Sequence, residues 1–393
     1  MSFELDLRDP HFAKAAALRD QFARDAVDRD KIGGRPTKEI EALKASGLLN
    51  LIIPKRFGGE GETWSKALRI AREFARVDGS LGHLFGYHFL AQISPVARSA
   101  PGQTDAYLRE SAANNWFWGN TANPIPKTLL GEADGEDYVL NGKQSFCSGS
   151  HVADRLLVGW DDVQEDRRVF ALIEPDRKGV HTLDDWDGIG QRQTGSGTVT
   201  FDQVRIKGGE CLTLPEGPRR PIATLTPLFQ QSVLLNVFVG SAQGALETAR
   251  AYTTTKSRPW LTSGVDHPTE DPWVKRVYGE LYVRTEAATL LADKALKALD
   301  DAYAPGQELT EEQRGRSAVA IAVANVFAGD VALDVTSRIF EVTGARSATN
   351  EYGFDRFWRN VRTHTLHNPA EYKTRNIGDW VLSGVHPEPG FYQ

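Results

Sequence analysis

The chain has 393 residues, 40% apolar and 25% charged, with a formal net charge of −6. That length supports more than one domain and a large core, and the acidic balance gives no general basic field for nucleic acid. Cys147 and Cys211 are too few for a disulfide framework or a cysteine metal site, which fits a reducing compartment. The opening stretch MSFELDLRDPHFAKAAALRD lacks the apolar run of a secretory signal, and no stretch reads as a membrane span. The expectation is a cytoplasmic, multi-domain protein with neither membrane nor nucleic acid as partner.

Residues 1–113 read as helical. Phe12, Ala16, Phe22 and Ala26 recur at near-helical spacing, and Thr37 after Pro36 opens a second amphipathic stretch that Gly47 can end. Ser65 and Ser80 are candidate N-caps for two more helices. In SLGHLFGYHFLA, helical spacing puts His83 and Tyr87 on one face and His88 on another. From 114 to 222 the composition changes to short β-branched and aromatic runs such as RLLVGW, RVFALIEP and GTVTFDQVRI. Asn141–Gly142 between apolar alternations predicts a hairpin turn there. After PEGPRRP, helices are expected over 223–256, 270–303, 310–344 and 369–383, with a capping box at Thr310 and Gln313. SAVAIAVANVFAGDVALDVTSRIF is apolar nearly all round, so it should be buried by a bundle and by another subunit.

One stretch concentrates chemistry. FWRNVRTHTLHNP, residues 357–369, holds His364 and His367 three apart beside Arg359 and Arg362. A His-x-x-His pair can ligate a metal, but no Cys or acidic residue stands at helical spacing beside it, so no metal site is read here. Read alone, the histidines and arginines fit a solvated face or a helix end before Pro369 equally well.

Helices, then a β region, then long helices resemble the acyl-CoA dehydrogenase superfamily. NGKQSFCSG, GIGQRQTGSGTVTFDQVRI and FEVTGARSATNEYGFDRFWRNVRTHTL are similar to its flavin-facing strand, its β-domain signature and its C-terminal cofactor stretch. The resemblance implies a mainly α fold with a central β domain: an N-terminal helical domain (1–113), a middle β-barrel domain (114–222) and a C-terminal four-helix bundle (223–393) carrying the flavin site and oligomer interface. Where a common dehydrogenase has Tyr-Glu-Gly-Thr, with the glutamate as base, this chain has Leu366-His367-Asn368-Pro369. DGSLGHLFGYH, NNWFWGN, FCSG, DDWDGIGQRQTGSG, SRPW and FDRFWRNVRTHTLHNP resemble instead the flavin-dependent monooxygenase branch, that of dibenzothiophene monooxygenases and related organosulfur enzymes.

That resemblance implies FMN, supplied as FMNH2 by a separate NAD(P)H-dependent flavin reductase, with O2 as co-substrate and a flavin C4a-hydroperoxide as oxidant. It implies His367, Ser148, His83 and Tyr87 as catalytic residues. For cofactor binding it implies Asn120, Phe146, Cys147, Ser148, Arg258, Arg346, Gly344 and His364, the arginines being suited to a phosphate. Trp186, Phe146, Tyr87 and His83 would line the substrate pocket. Each residue also has a plain reading: Ser148 as a strand hydroxyl, His83 and Tyr87 as a packed helix face, Asn120 as a turn residue, the arginines as salt bridges, Gly344 as a helix cap. Arg359 and Arg362 are read as structural ion-pair partners.

The leading expectation is thus a homotetrameric two-component monooxygenase oxygenating an organosulfur compound, either a thioether of the dibenzothiophene type or a small sulfone or sulfinate. An indole- or amine-oxygenating enzyme of the same fold, an acyl-CoA dehydrogenase proper and a non-catalytic flavin-binding scaffold remain alternatives.

Overall fold

A computed structural model describes residues 3–125, 127–212 and 220–391; residues 215–219 of the PEGPRRP stretch lie outside them. Six helices come first: α1 (Pro10–Ala23), α2 (Ala26–Ile32), α3 (Thr37–Ser46), α4 (Trp64–Ala75), α5 (Gly79–Arg98) and α6 (Asp105–Asn114). Asp9 caps α1 by accepting the amides of His11 and Phe12, and Gly47 ends α3 at φ 74°, as expected from sequence. The caps of α4 and α5 are Thr63 and Asp78, not Ser65 and Ser80. Both true caps are extended residues whose side-chain oxygens meet first-turn amides. The two serines fall within the first turn, and their hydroxyls make tertiary bonds, Ser65 to Asp300 and Ser80 to the Gln193 amide.

Seven strands follow: β1 (Trp118–Thr121), β2 (Leu129–Asp134), β3 (Asp137–Gln144), β4 (Arg155–Asp162), β5 (Arg168–Ile173), β6 (Val180–Thr182) and β7 (Val199–Ile206). They form one sheet in the order β1-β4-β2-β3-β7-β6, with β5 paired to β4. The hairpin expected at Asn141–Gly142 is not there; the β2–β3 turn is at Asp134–Asp137, where Gly135 takes φ 65°. Gly142 lies inside β3 at φ 124°, at a register shift against β7. Its tolerance of positive φ serves a bulge, and Asn141 Oδ1 accepts the displaced Gln203 amide at 2.9 Å.

The C-terminal helices are α7 (Thr226–Thr255), α8 (Pro272–Tyr303), α9 (Glu311–Thr343), α10 (Asp355–Thr365) and α11 (Ala370–Ser383). The capping box at Thr310 and Gln313 is present. α10 is absent from the four helices expected there. Its polar, arginine-rich sequence hides a narrow apolar stripe through Phe357 and Val361, both buried.

Among the described residues two helices are long and apolar enough to cross a membrane, contrary to the expectation from sequence: Pro221–Thr255, with 89% of its apolar window buried inside the protein, and Glu311–Thr343, with 56%. The first is the core helix of the fold. α4 and α5 pack on it without a gap: Gly240 and Gly244 of α7 lie against the carbonyls of Arg72 and Arg76, and Gly86 of α5 against Val233.

A methyl group at Gly244 would overlap the Arg76 carbonyl, whereas one at Gly279 in α8 has open space. Gly244→Ala should destabilise by about 1–3 kcal/mol. Gly279→Ala should stabilise by about 0.5–1 kcal/mol through helix propensity. Thermal melts of the two variants moving in the same direction would contradict this packing.

Candidate functional site

The Asp78 cap fixes where α5 begins, and so where its second turn points: Asp78 accepts the amides of Ser80 and Leu81 at 2.9 and 3.2 Å. His83 and Tyr87 share one face, their rings stacked at 4.0 Å. His88 turns away and is fully used by the fold. Its Nε2 donates to the Leu49 carbonyl at 2.8 Å, and its Nδ1 accepts the Trp118 amide at 3.1 Å.

The segment after β3 approaches His83 from the sheet. It is laced to the 194–197 loop: Cys147 N–H donates to the Gly197 carbonyl at 3.1 Å, and Gly149 N–H to the Thr194 carbonyl at 2.9 Å. Ser148 Oγ is thereby held 3.0 Å from His83 Nε2 and 2.8 Å from Ser196 Oγ. The Ser148 carbonyl accepts the Asn120 amide at 3.2 Å, which puts β1 alongside. Phe146 takes φ 59° and exposes its ring edge-to-face with Trp186 at 6.0 Å. Trp186 Nε1 donates to the Gln191 carbonyl at 2.8 Å, tying the aromatic pair to the same loop.

From the other side α10 brings His364, whose ring lies 4.7 Å from that of His83. His367 follows the helix. The Gln230 amide, at the start of the second turn of α7, stands 3.2 Å from Tyr87 Oη and 3.3 Å from His367 Nε2. His83, Tyr87, Ser148, His364 and His367 therefore form one cluster, with Asn120, Phe146 and Trp186 beside it. Cys147 does not join it: its side chain is buried in the sheet core, Sγ donates to the Gln144 carbonyl at 3.3 Å, and burial pushes the thiol up to about 12.

Arg258, Gly344 and Arg346 lie elsewhere. Thr253 Oγ1 donates to the Val342 carbonyl and Ser257 Oγ to the Thr343 carbonyl, so the far end of α7 meets the end of α9. At 1.5 Å per residue, that end is about 40 Å along α7 from Gln230. Both arginines are exposed, and neither has an ion pair among the described residues. Arg359 does, with Asp30 at 2.5 Å and Asp355 at 2.8 Å; Arg362 has none among the described residues.

The cluster is electrostatically quiet. Burial pushes His83 down to about 3, with the neighbouring His367 adding to the effect. Burial also holds His364 well below the ordinary imidazole range, aided by His83 and His367. His367 falls to about 4 through burial, partly offset by its hydrogen bond to Asn368 and reinforced by the Lys373 charge. All three rings are neutral near pH 7. Ser196, Thr194 and Gln230 belong to this arrangement without having been singled out from sequence. The serine and threonine sit in a glycine-rich run that reads as a turn, and a lone glutamine at a helix start carries no signal.

Similarity to known proteins shows the family. Residues 13–114 match the family description "Acyl-CoA dehydrogenase, N-terminal domain" and residues 233–371 match "Acyl-CoA dehydrogenase, C-terminal domain". A Pseudomonas putida protein described as "Probable FMNH2-dependent monooxygenase SfnC" is 43% identical over 98% of this chain and 97% of its own length. The chain belongs to the acyl-CoA dehydrogenase family. Among solved acyl-CoA dehydrogenase folds, methanesulfinate monooxygenase MsuC from Pseudomonas fluorescens superposes with a TM-score of 0.95 at 43% identity, covering 97% of this chain and 99% of MsuC. FMN-bound TdsC from Paenibacillus sp. A11-2, a dibenzothiophene monooxygenase, gives 0.93 at 36% identity, covering 98% and 100%.

The buried imidazoles set a pH dependence. His83, His88 and His367 have folded values of about 3–4, below the ordinary 6.5 of the unfolded chain. Between those limits the unfolded state binds more protons, so stability is complete above pH 6.5 and is lost as pH falls toward 4. Each ring contributes a slope of up to about 1.4 kcal/mol per pH unit. Urea midpoints from pH 7.5 to 5 should fall for the wild type and fall less steeply for His88→Gln; identical slopes would contradict neutral burial of that ring.

Proposed function

We propose that this protein is the oxygenase of a two-component, FMNH2-dependent system that oxygenates an organosulfur compound. The observation that carries the reading is the cluster itself: three neutral imidazoles and a serine hydroxyl meet where a dehydrogenase of this fold would need a carboxylate base. Proton handling without a fixed negative charge suits oxygen transfer, and the related monooxygenases support it. The substrate class follows the same relatives: a small sulfinate, as named for MsuC, or a thioether, as named for TdsC.

The residues fit a flavin. His83 Nδ1 and His364 Nδ1 are buried polar atoms without a hydrogen-bond partner among the described residues. Bound reduced FMN would supply O2 activation and the transferable oxygen. Asn120, Phe146, Ser148 and His364 would hold the ring system. Arg258 and Arg346, without ion pairs among the described residues, would hold the phosphate of FMN bound to a neighbouring subunit. His83 and His367 would receive and return protons at the reacting face, while Tyr87, Phe146 and Trp186 exclude water. The assembly is a homotetramer, in which the α8 side chains Val283 and Leu290, both exposed in the single chain, are covered. A cytoplasmic flavin reductase completes the system.

The test is photoreduced FMN mixed with protein, 18O2 and either methanesulfinate or dibenzothiophene. Label should enter the product; reoxidation with no labelled product for any sulfur compound, or stoichiometric FAD in the purified protein, would sink the reading. His367→Phe should fold normally but lose about 10²–10⁴-fold in oxygenation while releasing H2O2, with Ser148→Ala milder. A variant that melts early yet stays fully coupled would make His367 structural. Arg258→Ala should weaken FMNH2 binding about 10–100-fold without changing the sedimentation of the tetramer.

A further inference from the structure

The hydroxyl row behind His83 has a direction. Ser148 Oγ lies 2.8 Å from Ser196 Oγ, which lies 2.6 Å from Thr194 Oγ1, which donates to the Gln191 carbonyl at 2.9 Å. A carbonyl has no proton to give, so the Thr194 hydroxyl proton points at Gln191. Thr194 Oγ1 must then accept from Ser196, Ser196 from Ser148, and Ser148 from His83 Nε2, 3.0 Å away. We infer that Ser196 and Thr194 are positioning residues that fix His83 as the Nε2–H tautomer, leaving Nδ1 as a lone-pair acceptor in the site.

The far end of the row is rigidly built. Gln191 takes φ 55°, a left-handed conformation that costs a glutamine free energy and must be held by its surroundings. Asn360 of α10 holds it: Oδ1 accepts the Gln191 amide at 2.6 Å, and the Asn360 carbonyl accepts Gln191 Nε2 at 3.3 Å. The Gln191 carbonyl also accepts Trp186 Nε1 at 2.8 Å. The acceptor that orients every proton in the row is thus locked by the same helix that carries His364. At the near end, His83 is buried and its Nδ1 has no hydrogen-bond partner among the described residues. That is the atom the row keeps free of a proton.

Two consequences follow. Ser148 commits its own proton to Ser196 at rest, so it presents a lone pair, not a donor, to His83. His83 can take a proton at Nδ1 but cannot give one from there until it has done so. The use of this polarity in oxygenation rests on the function proposed above; the tautomer itself does not.

The experiment therefore starts without flavin, on the full-length protein labelled with 15N-histidine, with His83 signals assigned by their loss in His83→Gln. Wild type should show one neutral His83 tautomer, with the proton on Nε2, from pH 6 to 8. Ser196→Ala cuts the row and frees the Ser148 proton to turn toward His83, so the two ring-nitrogen shifts should converge. Ser196→Thr, which restores a hydroxyl, should recover the wild-type pattern. Thr194→Val provides the same cut if Ser196→Ala fails to fold, since the Thr194 amide still bonds Gln191. A wild-type proton on Nδ1, or an unchanged His83 pattern in a folded Ser196→Ala or Thr194→Val protein, overturns the inference. Product yield per FMNH2, measured alongside, separates the two claims. A severalfold drop in coupling for Ser196→Ala supports a functional role, whereas a wild type that forms no product fails the oxygenase reading and leaves the tautomer result standing.

Discussion

Backbone-to-backbone contact between α4 and α7 is the constraint on which the molecule turns. Only glycine at 240 and 244 lets α7 approach the Arg72 and Arg76 carbonyls. The close approach then brings buried charge with it. Arg72 donates to Asn236 at 2.9 Å and pairs with Asp293, and Arg76 bridges Glu73 and Glu247. Removing Asp293 would leave the buried Arg72 guanidinium without its ion-pair carboxylate. Because α5 rests on α7 through Gly86, the height of His83 above the start of α7 follows from the same contact, and with it the reach of Gln230 to Tyr87 and His367.

The site is then a place where three independently anchored pieces meet. α5 is set by its aspartate cap, the 146–149 segment by its bonds to the 194–197 loop, and α10 by the Arg359–Asp30 pair and by Asn360. None of these anchors carries charge into the cluster. Neutral imidazoles so closely spaced coexist without repulsion, which charged ones could not, and burial is what keeps them neutral.

The sequence made part of this legible. Helical spacing was enough to put His83 and Tyr87 together and to send His88 elsewhere. Ser148 came only through resemblance, since an isolated strand serine has no distinguishing pattern. The capping serines were misplaced because a cap depends on which residue leaves the helical conformation, and Thr63 and Asp78 sit two residues earlier with equally good acceptors. Asn141–Gly142 carried a true signal for positive φ, but a bulge and a turn make the same local demand. Ser196 and Gln230 could not be read because Ser148, Tyr87 and His367 are distant from them in sequence, and Thr194 because it reaches the cluster only through Ser196. Arg258 and Arg346 are far from the cluster within one chain, a separation that sequence order does not reveal.

The central position of α7 also bears on how the chain is made. α4 and α5 emerge from a ribosome long before the helix that covers them. At about 5–20 residues per second, roughly 10–35 s pass between synthesis of α5 and completion of α7. During that interval the faces around Ala75 and Gly86, which meet Gly240 and Val233 of α7 in the finished protein, lack their native cover. The α7 glycines then decide how closely that cover can settle when it arrives.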